Sequence, residues 1–259
     1  MREGGDFLEE LVEEAEARIR AGYYDVEGAA SCARRSLKGA LEREGVHIIA
    51  ELKPLSPLEG RLRGRLDPVG LLRAFERGGA SAISVITEPL RFGGRLDYVP
   101  LAKRLTGLPV LMKDIIIDEV QLHAASRLGA DAVLLIERIF RRGLALEPLN
   151  GMISLAHKVG MEVVLEVHDE RGLELALRSE ADIVGINNRS LESLDVSLDV
   201  SRRLLPLARG AKPVICESGI TSEGQVKELR ALGARGFLIG TSLMRNSDVE
   251  AAVRRYAGR

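Results

Sequence analysis

Glu51 and Lys53 stand two residues apart at the end of an apolar run, "VHIIAELKPLSP". Side chains alternate across a strand, so residues i and i+2 point the same way, and a core strand has no reason to end on two charges facing one direction unless something meets them there. The pattern recurs. Lys113 ends "LPVLMKD", Glu166 ends "VVLEVHD", Asn187 ends "IVGINNR" and Glu217 ends "PVICESG". Ammonium and carboxylate groups gathered from different strand ends can give and take protons, which is general acid–base chemistry. The Glu51-x-Lys53 pair taken alone reads equally well as an ordinary ion pair at a strand end. Buried charges cost several kcal/mol unless paired, however, so their coincidence at five strand ends favours a site.

Their neighbours read differently. Asp114 has the opposite parity to Lys113 and suits a loop anchor or a helix cap. His168 and Asp169 beside Glu166 hint at metal ligation, but no second His stands in a matching context, and no metal is expected. Cys216 lies inside a strand pattern and is core filler. Cys32 and Cys216 lack metal-ligand spacing and suggest neither a disulfide framework nor a zinc site.

The elements that must position these groups follow from hydrophobic periodicity. Residues 1–45 read as a helical extension: Phe7, Leu8, Leu11, Val12, Ala15 and Ile19 recur near helical spacing, then a turn at "AGYYD" leads to a second helix through Leu37 and Leu41. From Val46 the period changes. Short apolar runs, often β-branched, appear at "VHIIAEL", "ASAISVIT", "LPVLMK", "ADAVLLI", "MEVVLEV", "ADIVGIN", "KPVICES" and "RGFLIGT", with helix-forming segments between them. "DPVGLLRAFERGGA" opens with Asp-Pro and closes with Gly-Gly, while "SEGQVKELRALGA" opens at a Ser cap and closes with Gly. Eight strand–helix units in about 210 residues, with strands apolar on both faces, predict a closed (β/α)8 TIM barrel forming one domain over residues 1–259. A doubly wound open sheet would want G-x-G-x-x-G after its first strand, where this chain has "ELKPLSPLEG". In such barrels the C-terminal strand ends form the active-site face, the place where the charges fall.

Two loops say what the ligand carries. "ESGITSEGQVKEL" and "LIGTSLMR", after the seventh and eighth strands, each place Gly beside a hydroxyl at a strand-to-helix junction. Exposed backbone N–H groups there bind phosphate, which nominates Ser218 and Gly219 from one loop and Gly240 and Thr241 from the other. Lys plus Arg is 37 and Asp plus Glu 38, a formal net charge of −1, so electrostatics give no reason to expect nucleic acid or an anionic membrane. The acidic N-terminus lacks the form of a signal peptide and no apolar run is long enough to span a bilayer, so the cytoplasm is the expected location. A small phosphorylated ligand and a monomeric chain complete this reading.

The residues resemble the indole-3-glycerol phosphate synthase family over nearly the whole chain, through "IIAELKPLSP", "ISVITEPLRFGG", "LPVLMKD", "DAVLLI", "EVHDERGLELAL", "VGINNRSLESL", "ESGI" and "FLIGTSLMR" in the family's order and spacing. The resemblance implies a substrate with an anthranilate ring joined through nitrogen to 1-deoxyribulose 5-phosphate. Ring closure, loss of CO2 and dehydration then follow without a cofactor. By the same resemblance Lys113 is the principal general acid, Lys53 holds the substrate carboxylate and shares proton donation, Glu166 is the general base, and Glu51 is the acid–base partner in dehydration. Asn187 and Glu217 orient the hydroxylated chain, and Ser56 is a further substrate contact. Lys53 is expected to ease proton loss from Lys113 by like-charge repulsion. With no Trp in the chain, the ring is expected among Ile86, Phe92, Leu134, Ile136 and Leu191. Pro54, Leu55 and Leu58 after the Glu-x-Lys, Ile115 after "MKD" and Ser190 after the Asn-x-Arg depart from the usual family pattern. A sugar-phosphate isomerase on a related barrel, or a phosphate-ligand binder without catalysis, would share the last two loops.

Overall fold

The computed structural model describes residues 6–28, 33–210 and 212–259. Its centre is a closed parallel barrel of eight strands. These are β1 His47–Leu52, β2 Ala82–Ile86, β3 Val110–Lys113, β4 Ala132–Ile136, β5 Glu162–Val167, β6 Ile183–Asn187, β7 Val214–Glu217 and β8 Gly236–Ile239. Each pairs in parallel with its neighbours in chain order, and β8 closes on β1 through His47 opposite Gly236 and Ala50 opposite Ile239. All eight sequence-predicted strands form. A strand in this setting needs apolar side chains on both faces, and the two parities sort accordingly. Ile49, Leu111, Leu134, Val164, Ile183, Ile215 and Leu238 belong to one buried cluster. Ile48, Val85, Val133, Leu135, Val163, Leu165, Val184 and Phe237 belong to the other, with the surrounding helices. Glu51, Lys113, Glu166, Asn187 and Glu217 share the parity of the first set and therefore face the barrel axis.

Local chemistry starts the helices where the sequence predicts. Asp67 caps Pro68–Arg77 by accepting from the Gly70 N–H, and Ser222 caps Glu223–Leu232 in a reciprocal pair with Gln225. Each cap satisfies an otherwise orphaned donor.

The first 45 residues differ in detail from the expectation. The first helix runs Phe7–Arg20 and buries Leu8, Leu11, Val12 and Ala15 in one cluster with Ile115, Ile117, Ile136 and Ile139 at the C-terminal end of the barrel. The second helix is a single turn, Leu37–Leu41. It stops the opposite end: Ser36 Oγ and the Lys38 N–H donate to the Glu162 carboxylate at the start of β5. Gly236 leaves the room Leu41 needs, since a Cβ there would lie 2.6 Å from a Leu41 methyl. "AGYYD" is a turn, as predicted, with Gly22 at φ +72. Cys32 lies outside the described residues. Cys216 is buried and free. Among the described residues no helix is long and apolar enough to cross a membrane.

Candidate active site

A cavity of about 530 Å³ opens at the C-terminal ends of the strands. Its polar lining includes Glu51, Lys53, Lys113, Glu166 and Asn187, and its apolar lining includes Ile86, Phe92, Leu134, Ile136 and Leu191. Ser218, Gly219, Gly240 and Thr241 line it from the last two loops. Two nominated residues do not. Ser56 is buried in a small antiparallel hairpin, Leu55–Ser56 with Gly60–Arg61, and Glu217 lies wholly buried below the cavity floor.

The Lys113 ammonium is ringed by carboxylates. Its Nζ lies 2.5 Å from Glu217 Oε2, 3.8 Å from Glu51 Oε1 and 3.9 Å from Glu166 Oε2. Lys53 Nζ lies 3.3 Å from Glu51 Oε2. Burial alone would lower the pKa of Lys113, but Glu217, Glu51 and Glu166 together outweigh it and push it well up. This corrects the expectation that Lys53 would ease its proton loss: three carboxylates within ion-pairing range decide the sign, and Lys53 is itself turned to Glu51.

The carboxylates divide. Burial pushes Glu51 up, yet Lys53 and Lys113 outweigh that and hold it below its ordinary value. Burial raises Glu166 against the opposing Lys113 and the Asn187 amide. Glu217 is pushed up to about 7, first by burial, with Glu166 adding to it and Lys113 opposing. Glu166 and Glu217 are thus raised and Glu51 lowered, and because all three face one ammonium their titrations are linked.

Two glycines make this crowding possible. A Cβ on Gly185 of β6 would lie 2.5 Å from Glu217 Oε1, and one on Gly240 would overlap the Glu51 carboxylate. Gly185, a glycine inside a strand that the sequence reading did not single out, marks such a close approach. Gly240 was nominated for phosphate, and the space its missing side chain leaves is filled by Glu51. On the other loop Ser218 sits at φ +65 and Gly219 at φ +77. A left-handed serine is strained, and such strain persists where surrounding structure imposes it.

Sequence reasoning also passed over four charged wall residues, Glu59, Glu88, Arg189 and Arg245. Arg189 lines the cavity two residues beyond Asn187 and donates to the Leu194 carbonyl at 2.9 Å. Arg245 reaches Glu59 at 2.6 Å across the mouth. Glu88 accepts from the N–H groups of Leu90, Arg91 and Phe92, which folds the loop carrying Phe92 against the cavity. Glu88 also receives Arg18 of the first helix at 3.0 Å, and Arg18 reaches Asp114 at 3.3 Å. Asp114 accepts from the Tyr24 and Thr87 hydroxyls as well, so it is the loop anchor its parity suggested. Asp169 caps Glu170–Arg178 and pairs with Arg138 and Arg141. Among the described residues no group of three or more His, Cys, Asp or Glu side chains is placed to hold a metal ion.

Comparison with known proteins gives one answer. A family model described as indole-3-glycerol phosphate synthase matches residues 8–256. The indole-3-glycerol phosphate synthase of Geobacillus thermodenitrificans is 41% identical over 230 residues, 87% of this chain and 87% of that one. That of Campylobacter curvus is 39% identical over 212 residues, covering 82% and 80%, and that of Neisseria gonorrhoeae is 43% identical over 206 residues, covering 80% and 77%. Among solved structures, thiamine phosphate pyrophosphorylase from Pyrococcus furiosus superposes with a TM-score of 0.59 at 18% identity, over 85% of this chain and 96% of that one. The N-acetylmannosamine-6-phosphate 2-epimerase from Clostridium perfringens does so with 0.61 at 16%, over 83% and 93%. These two share the fold alone.

Proposed function

The chain belongs to the indole-3-glycerol phosphate synthase family, a family of carboxy-lyases, and from that premise we propose how its residues convert 1-(2-carboxyphenylamino)-1-deoxyribulose 5-phosphate to indole-3-glycerol phosphate, CO2 and water. The aromatic ring sits among Ile86, Phe92, Leu134, Ile136 and Leu191. Lys53 holds its carboxylate, Asn187 orients the hydroxylated chain, and the phosphate meets backbone N–H groups of Gly219, Gly240 and Thr241 with the Ser218 hydroxyl beside them.

Ring closure joins the ring carbon bearing the carboxylate to the ketose carbonyl carbon. The carbonyl electron pair moves to oxygen, which takes a proton from Lys113. The raised pKa guarantees that Lys113 carries its proton when the step begins, at the cost of weaker driving force, which the greater basicity of the developing alkoxide supplies. The carboxylate then leaves as CO2, and the electron pair of the broken bond restores the aromatic ring. Dehydration removes the new hydroxyl as water, with Glu51 relaying to it a proton from the Lys53 ammonium 3.3 Å away, and Glu166 takes the proton from the adjacent carbon. Glu217 touches no part of the substrate in this scheme. It orients Lys113 and, as a carboxyl partly protonated near neutrality, returns a proton to it.

The observation that supports this reading best is Lys113 surrounded by Glu51, Glu166 and Glu217 at the floor of an apolar cavity. A site built within one chain also suits a monomer, and soluble phosphorylated substrates suit the cytoplasm. The test is direct: purified protein is mixed with the substrate and indole fluorescence is followed. No signal from wild-type protein, or full signal from Lys113→Met, contradicts the assignment.

A further inference from the structure

His168 stands two residues beyond Glu166 and shares its parity at the end of β5. Its side chain is 7% exposed, and Nε2 lies 3.6 Å from Glu166 Oε1. Neither ring nitrogen has a hydrogen-bond partner, and neither has Glu166 Oε1. Buried polar atoms are nearly always paired, so a potential donor and an acceptor left unpaired side by side, just beyond bonding distance, point to a bond that forms in another state of the site. The ring is uncharged at neutral pH. Burial first, then Arg138, push its pKa down to about 4, against Glu217, the Arg189 backbone and Asp169. Arg138 is itself fixed by Asp169 and Glu192, at 2.8 and 3.0 Å. A neutral imidazole keeps one N–H, and Glu166 Oε1, 3.6 Å from Nε2, is an acceptor on that side of the ring, with the Arg189 backbone a second group near the imidazole.

We propose that His168 is a positioning residue for the proton transfer at Glu166: with substrate in place its Nε2–H closes onto Oε1, leaving Oε2, the oxygen on the Lys113 side, aimed at the reacting proton. The closure is about 0.6 Å, from the observed separation to an ordinary hydrogen-bond length. It rests on Glu166 being the base. The two carboxylate oxygens then have different tasks, Oε1 held by the imidazole and Oε2 facing Lys113 at 3.9 Å.

Three variants and one spectrum test it. His168→Phe keeps the bulk and removes the donor. It is expected to lower kcat about ten-fold, the factor a hydrogen bond to a charged group is worth, with KM nearly unchanged. The acid limb of the kcat profile, which reports the substrate complex, should move to higher pH, because there the Glu166 anion loses a donor. His168→Gln restores an N–H and should recover most of the rate and the original limb. Should the Phe variant fail to fold, the wild-type enzyme decides: ¹⁵N NMR should show a neutral His168 protonated on Nε2, unchanged between pH 5.5 and 8, with the Nε2 proton moving downfield when a product analogue binds. An unmoved acid limb in the Phe variant, a Gln variant no better than Phe, or a ring protonated on Nδ1 alone overturns the proposal. Glu166→Gln tests the underlying reading separately, since full activity there removes Glu166 as the base whatever His168 does.

Discussion

Replacing Lys113 by Met keeps much of the side chain's bulk and removes its charge, so it separates proton donation from packing. In catalysis the loss is that of a general acid, about 10²- to 10⁴-fold in kcat with a far smaller change in KM. Stability changes too. Glu51, Glu166 and Glu217 all lie within 4 Å of the ammonium, and breaking a buried ionic arrangement from one side costs about 3–5 kcal/mol. For a chain of this size that lowers Tm by roughly 6 to 20 °C. The deficit depends on pH with a definite sign. Without Lys113 the folded-state pKa values of Glu166 and Glu217 rise further above their unfolded values, and Glu51 loses part of what holds it down. A group with a raised folded pKa keeps its contribution below the unfolded pKa and loses it as pH rises through the folded one. Glu217 is already pushed up to about 7 in the wild type. The gap between variant and wild type should therefore be small near pH 5 and largest above pH 7. The assays are steady-state indole fluorescence and thermal melts at pH 5.5, 6.5 and 7.5. Lys53→Met, measured alongside, should raise KM because it removes the partner of the substrate carboxylate. If Lys113→Met keeps near-normal kcat while Lys53→Met abolishes it, the two lysines exchange roles. A pH-independent melting deficit would refute the electrostatic argument.

The remaining expectations concern what surrounds that cluster. Gly240→Ala should depress kcat by at least about ten-fold by displacing Glu51, while inorganic phosphate, tested as a competitive inhibitor, keeps its affinity within about three-fold. Loss of phosphate affinity with kcat intact would place the strain on the phosphate loop instead. Gly185→Ala should likewise lower kcat by driving Glu217 away from Lys113, and unchanged kinetics in the folded variant would show that Glu217 has room to spare. Arg18→Met strands Glu88 and Asp114, so it should destabilise the protein by about 3 kcal/mol in a denaturant titration and raise KM through the Phe92 loop. A shift under about 0.5 kcal/mol would mean the first helix is held by its apolar face alone. Activity should survive prolonged chelation, and loss restored by one divalent ion would return Glu166, His168 and Asp169 to consideration as ligands.

The eight strands, the barrel and the candidate strand-end groups were legible in the sequence because they depend on short-range rules. Alternation has a period of two residues, caps act over three, and the end of a strand is marked where apolar residues give way to a charge. That is enough to show that Glu51, Lys53, Lys113, Glu166, Asn187 and Glu217 face one way, and that two glycine-bearing loops follow the last strands. Which charge meets which was not legible. Lys113 and Glu217 are separated by 104 positions in the chain and Arg18 and Asp114 by 96, and only barrel closure sets their distances. Hence the sign of the Lys113 shift reversed: a second lysine on the same strand-end rim suggested repulsion, whereas three carboxylates converging from other strands dominate. A local hairpin, with Leu55 opposite Arg61, takes Ser56 out of the cavity wall, whereas closure put Glu217 beneath the cavity and turned Gly240 and Gly185 into the spaces two carboxylates occupy. An alternating pattern encodes the direction of a side chain. The electrostatic field at its tip is a sum over every strand, and it exists only once the barrel is closed.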